Sequence, residues 1–94
     1  MFMKDEERMQ VEIKNLVDNL ELLRAKASLS QGELAEAVGL SRQTYSCIIT
    51  GRRKLCWTNY LAFIFYFSQN KKTAMLLKNL NCYPQGYVRE INRA

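Results

Sequence analysis

Leu29-Ser30-Gln31-Gly32-Glu33-Leu34-Ala35-Glu36-Ala37-Val38-Gly39-Leu40-Ser41-Arg42-Gln43-Thr44 holds two helix starts and one helix stop within sixteen residues. Ser30 and Glu33 have the spacing of a capping box: the Ser30 hydroxyl accepts from the Glu33 amide, and the Glu33 side chain reaches back. Leu34, Ala35 and Val38 give the helix that follows one apolar face. Gly39 ends it, because the left-handed conformation that closes a helix is cheap only for glycine. Ser41 is the next cap and opens a helix over 42–50, with Tyr45, Ile48 and Ile49 apolar and Gly51 as its stop. The pattern is two short helices joined by a tight turn.

Helical spacing extends to both sides of this pair. Upstream, Met9, Ile13, Leu16, Val17, Leu20 and Leu23 recur with the period of a helix, so 5–27 is one long helix or two, with a break expected near Asn15 to Asn19. Asp5 is a candidate cap for its start. Downstream, Trp57 to Ser68 reads as a helix that is apolar nearly all round, which implies burial on more than one side. Another helix is expected from Asn70, carrying Met75, Leu76, Leu77 and Leu80, then a turn at Pro84 and Gly86. Tyr87 to Ile91 alternates and suits a strand or a docked tail. No internal repeat or linker interrupts the 94 residues, so 1–94 reads as a single domain with 70–94 as a C-terminal extension.

Composition narrows the chemistry. One Pro and four Gly argue against a loop-rich or collagenous chain. The longest apolar run, Tyr60 to Phe67, is eight residues, too short to span a bilayer, and Met1 to Arg8 lacks an apolar signal core, so a soluble, cytoplasmic protein is expected, with no membrane partner. The absence of His removes the commonest general base and the commonest metal ligand. Cys47, Cys56 and Cys82 are odd in number and contain no CxxC pair, so neither a zinc site nor a disulfide scaffold is expected. Gly51-Arg52-Arg53-Lys54 lacks the preceding glycine of a phosphate loop, and no nucleophile–base pair stands out; an enzyme is not expected, nor a metal or cofactor.

The net charge of +5 points to an acidic partner, and its distribution says where. Residues 1–15 and 16–50 each carry one net negative charge; the excess begins with Arg52, Arg53 and Lys54 and continues beyond residue 70. A helix that enters the major groove of DNA leads with its N-terminus, so long polar side chains there reach base edges. Arg42, Gln43 and Thr44 occupy that first turn, and Ser46 and Cys47 lie one turn on toward the same groove. Arginine matches the two acceptors of guanine and glutamine the donor–acceptor pair of adenine. Tyr45 and Ile48 point the other way, into the angle between the two helices. Gln31, at the amide end of the preceding helix, is a natural phosphate seat, and Arg52, Arg53 and Lys54 leave the reading helix where a DNA backbone should pass.

Leu-Ser-Gln-x-Glu-Leu-Ala at 29–35 and Gly-Leu-Ser-Arg-Gln-Thr at 39–44, with Leu20, Leu23, Arg24, Val38, Ile48, Gly51, Arg52 and Lys54, make residues 16–69 resemble the helix-turn-helix DNA-binding domain of the phage Cro and repressor (XRE) family. The resemblance implies an all-α fold, a lambda-repressor-like bundle of about five helices, here with N- and C-terminal extensions. It implies base contacts at Arg42, Gln43 and Cys47. It implies phosphate contacts at Gln31, Thr50, Arg52 and Lys54, with Ser41 and Arg53 beside them. Arg24 matches an arginine that in this family often pairs with an acidic residue near the end of the reading helix and faces phosphate. That acidic position is Ile49 here, so the ion pair is expected to be absent. Three further departures are Gly32 inside a first helical turn, Cys47 where a longer reader is common, and Tyr45 in place of a smaller Ile or Val.

The reading that follows is a transcriptional regulator of double-stranded DNA, a small repressor using helix 42–50. Leu61, Ala62 and Phe65, on the other side of helix 57–68, need a cover: the N-terminal turns, the C-terminal segment or a second subunit. A homodimer built on that helix and 70–94 is the expectation. The alternative is the same fold used as a protein-interaction module, or as an antitoxin holding a partner protein.

Overall fold

A computed structural model describes residues 5–84, all but the two ends of the chain. Six helices follow one another: α1 (Asp5–Asp18), α2 (Leu20–Lys26), α3 (Gln31–Ala37), α4 (Arg42–Ile49), α5 (Trp57–Ser68) and α6 (Lys71–Asn79), with no strand among the described residues. The expected strand or tail at Tyr87 to Ile91, Gly86 of the expected turn, and the side chain of the proposed cap Asp5 lie outside the described residues.

The 5–27 segment divides at Asn19 for a local reason. The Asn19 side-chain amide donates to the Asn15 carbonyl at 2.8 Å, so a side chain competes with the backbone ladder where α1 gives way to α2. The capping box before α3 is complete: Ser30 Oγ accepts from the Glu33 amide at 3.0 Å, and Glu33 accepts from the Ser30 amide at 2.8 Å. Four helices then close the same way, with one residue in the left-handed region and the next amide bonded back across the last turn. Gly39 and Gly51 do so after α3 and α4 at φ +79° and +82°. Ser28 and Asn81 do so after α2 and α6 at φ 59° and 60°. The returning bonds are Leu29 to Arg24, Leu40 to Ala35, Arg52 to Cys47 and Cys82 to Leu77.

Leu16, Leu20, Leu23, Leu34, Ala35, Tyr45, Tyr60, Phe63, Phe67 and Leu77 are wholly or almost wholly buried in one cluster. The cluster takes in the C-terminal segment as well, through Leu77, Cys82 and Tyr83. Polar bonds reinforce that closure. The Asn15 side-chain amide donates to the Leu80 and Asn81 carbonyls at 3.2 and 2.9 Å, and the buried Tyr60 hydroxyl donates to the Cys82 carbonyl at 2.9 Å. Burial pushes the Cys82 thiol up to about 11.

α5 departs from the expectation of burial on more than one side. Tyr60, Phe63, Ile64 and Phe67 face the core, but Leu61 is 42% and Phe65 69% exposed. Among the described residues, neither α1 nor α6 covers that pair.

Candidate nucleic-acid interface

The geometry of α4 follows from its 3.6-residue period. Tyr45 and Ile48 are buried, one turn apart on the inner face. Arg42, Gln43, Ser46, Cys47 and Thr50 therefore share the outer face; Arg42, Gln43 and Thr50 are exposed, and Ser46 and Cys47 half-buried. The packing of α4 on α3 thus presents as one surface four of the five residues placed in the groove by the sequence.

The fifth, Thr44, has a different occupation. Ser41 Oγ accepts from the Thr44 amide at 3.0 Å and donates to Thr44 Oγ1 at 2.9 Å, so this pair builds the start of the helix. Thr50 is similarly engaged, its hydroxyl donating to the Ser46 carbonyl at 2.8 Å. Arg52, Arg53 and Lys54 stand exposed beyond the Gly51 turn, and the Arg52 and Arg53 amides are both tied to the Cys47 carbonyl. The cationic turn is therefore held against the end of the helix that precedes it.

On the other flank, Arg24, Ser30, Gln31, Gly32 and Arg42 line one open recess between α2 and the starts of α3 and α4. It brings the proposed phosphate residues Arg24 and Gln31 beside the proposed base reader Arg42. The Arg24 and Gln31 donors in this recess are already engaged within the fold. Among the described residues no group of three His, Cys, Asp or Glu is placed to hold a metal ion, and no helix is long and apolar enough to cross a membrane.

The residue that sequence reasoning passed over is Glu21. Ile49 leaves Arg24 without the family's usual acidic partner, and Glu21, one turn earlier on α2, supplies one. Arg24 Nε and Nη2 donate to its two carboxylate oxygens at 3.0 Å each, and Nη1 donates to the Leu29 carbonyl at 2.6 Å. Gln31 Nε2 donates to Glu21 at 3.2 Å, and the buried Tyr45 hydroxyl donates at 2.6 Å. One carboxylate thus joins α2, α3 and α4. The Arg24 guanidinium, aided by the Tyr45 and Gln31 donors and opposed by partial burial, holds the Glu21 carboxyl down from 4.5 to about 2. Burial, and then the adjacent Glu21 charge, push the Tyr45 phenol up. The i, i+3 spacing of Glu21 and Arg24 was the available sequence signal.

A family model described as a helix-turn-helix domain matches residues 15–64, more than half of the chain. No curated protein and no solved structure matches it.

Proposed function

The chain belongs to the helix-turn-helix domain family, and on that premise we propose that it is a sequence-specific regulator of transcription that reads the major groove of double-stranded DNA with α4 and acts as a small repressor. The observation that carries this reading is the division of α4 into two faces. Tyr45 and Ile48 fix its inner face, while Arg42, Gln43, Ser46 and Cys47 present hydrogen-bonding groups outward. Arg42 and Gln43 are the base readers at its leading end, with Thr44 beside them. Gln31 and Arg24 on one flank, Ser41 at the start of α4, and Thr50, Arg52, Arg53 and Lys54 at and beyond its end are the backbone contacts that set its register.

The protein acts in the cytoplasm as a homodimer, with no cofactor and no catalytic role. Leu61 and Phe65 support the dimer: an aromatic ring 69% exposed next to a leucine one turn away is costly to leave in water. Two copies would then carry two α4 helices to successive major grooves about 34 Å apart on a palindromic site. A Phe65→Glu variant should sediment as a monomer where the parent sediments as a dimer.

The test of the function is in-vitro selection from a random duplex library at near-physiological salt. An enriched palindrome supports the dimeric regulator, and an enriched single half-site supports DNA reading by a monomer. No enrichment at any salt refutes the proposal. The same exposed Leu61 and Phe65 favour one second reading, a protein-interaction module or antitoxin that holds a partner through α5. Salt separates the two: phosphate contacts release counterions and weaken steeply with salt, and an apolar protein interface does not.

A further inference from the structure

A carboxylate beside a DNA-binding surface is electrostatically out of place. Glu21 lies among the groups assigned to phosphate, yet it would repel phosphate. Its geometry offers a reason for its presence. A carboxylate accepts about four hydrogen bonds, and four reach Glu21: two from Arg24, one from Gln31 and one from Tyr45. Arg24 shares its helix, whereas Gln31 opens α3 and Tyr45 lies in the first turn of α4. The bond to Tyr45 is the short one, 2.6 Å, from a side chain with no exposure to solvent. A buried phenol needs an acceptor, and a charged acceptor makes the bond strong and directional. Tyr45 sits on the opposite face of α4 from Arg42, Gln43, Ser46 and Cys47, so fixing its ring fixes the direction in which those side chains leave the helix.

We propose that Glu21 is a positioning residue for base readout. Its carboxylate seats α4 through Tyr45 and gathers Gln31 and Arg24 into the same network, while its charge weakens contact with all DNA alike, so that only DNA completing the base-reading fit recovers the loss. The proposal rests on the DNA-binding reading and adds a source of specificity to it. Glu21 touches no base. It acts through Tyr45, Gln31 and Arg24, so it should control the ratio of operator binding to random-DNA binding rather than affinity alone.

The experiment compares the full chain with three variants on a selected operator and a random duplex, over a range of salt, with thermal unfolding in parallel. Glu21→Gln removes the charge at constant size. It should tighten random DNA by about 2–5-fold and weaken the operator by about 5–10-fold, because repulsion is lost and the tie to Tyr45 is weakened. Glu21→Asp keeps the charge but shortens the reach to Tyr45; it should weaken the operator without tightening random DNA. Tyr45→Phe should weaken the operator by about 3–10-fold and leave random DNA unchanged. The double change Glu21→Gln with Tyr45→Phe should lose no more discrimination than Glu21→Gln alone.

A purely structural Glu21 would give another pattern: a lower melting temperature with the operator-to-random ratio at its parental value. That result in Glu21→Gln and Glu21→Asp overturns the proposal. A parent chain that does not prefer its selected duplex over random DNA removes the DNA reading itself, an outcome visible before any variant is made. If Glu21→Gln fails to fold, Glu21→Asp and Tyr45→Phe decide, since both must lose discrimination.

Discussion

Replacing Leu77 with alanine asks whether the C-terminal helix belongs to the same cooperative unit as the DNA-reading helices. Leu77 is fully buried, and it belongs to the same buried cluster as Leu34, Tyr45 and Ile48 of the reading unit. Losing three methylene equivalents forfeits about 2.4 kcal/mol of burial at about 0.8 kcal/mol each. A residual cavity of about 40 Å³ would add about 1 kcal/mol. The expected loss is therefore about 3–4 kcal/mol, a large share of the roughly 5–14 kcal/mol that a chain of this size has in all. Urea unfolding should be followed by far-ultraviolet circular dichroism, which reports all six helices, and by fluorescence of the single tryptophan. Trp57 is well placed for this, stacked on Tyr60 at 4.7 Å between ring centroids. Both probes should move to the same lower midpoint with the slope unchanged. A loss below about 1 kcal/mol would refute the reasoning. So would a shifted dichroism transition with the fluorescence transition left in place, since α6 would then unfold as a separate appendage.

Three further expectations concern the site. Arg42→Ala should cost about 1–3 kcal/mol at one operator position and relax the preference there, whereas Arg52→Ala should weaken all duplexes alike and flatten the salt dependence; equal losses on operator and random DNA from both would refute the division into readers and positioners. Gly32→Ala should stabilise the fold by up to about 1 kcal/mol in urea unfolding, because a Cβ there would meet Arg42 Cδ and Ser30 Oγ only at ordinary contact distances of 3.9 and 4.0 Å. Acid should remove one stabilising contribution: Glu21 titrates at about 2 in the folded chain and near 4.5 when unfolded, so its contribution is complete above about pH 4.5 and fades as pH falls toward 2. Urea midpoints at neutral and acid pH should converge between parent and Glu21→Gln; a constant gap would count against the network.

Local chemistry made most of the fold legible. Ser30, Ser41, Gly39 and Gly51 mark helix ends because each satisfies or frees backbone groups within a few residues. Ser28 and Asn81 perform the same closure as the glycines but carry no comparable signal, since a left-handed serine or asparagine is settled by the packing on either side. The end of α6 was hidden for that reason. Its docking was hidden too, because it depends on Asn15, some 65 positions away. At the site, the outer face of α4 was legible from its period. The Glu21 network was not, since the resemblance directed attention to position 49, where Ile49 stands, and Tyr45 read only as an oversized apolar residue. For Leu61 and Phe65 the sequence showed that a cover is needed but left three candidates for it, because an all-round apolar helix looks the same in sequence whether its second face meets its own chain or another.

The bond between Asn15 and the 80–82 turn also bears on the order in which the protein can be completed during synthesis. The α3–α4 pair is built from neighbours in sequence and can form early, because closing short loops is fast. Asn15 must wait for acceptors that are 65 and 66 residues downstream. At about 5–20 residues per second, that is several seconds after α1 has been made. Until then the chain carries an unclosed core, for the later part of the interval beneath a reading helix already made, and α6 is the helix that seals α1.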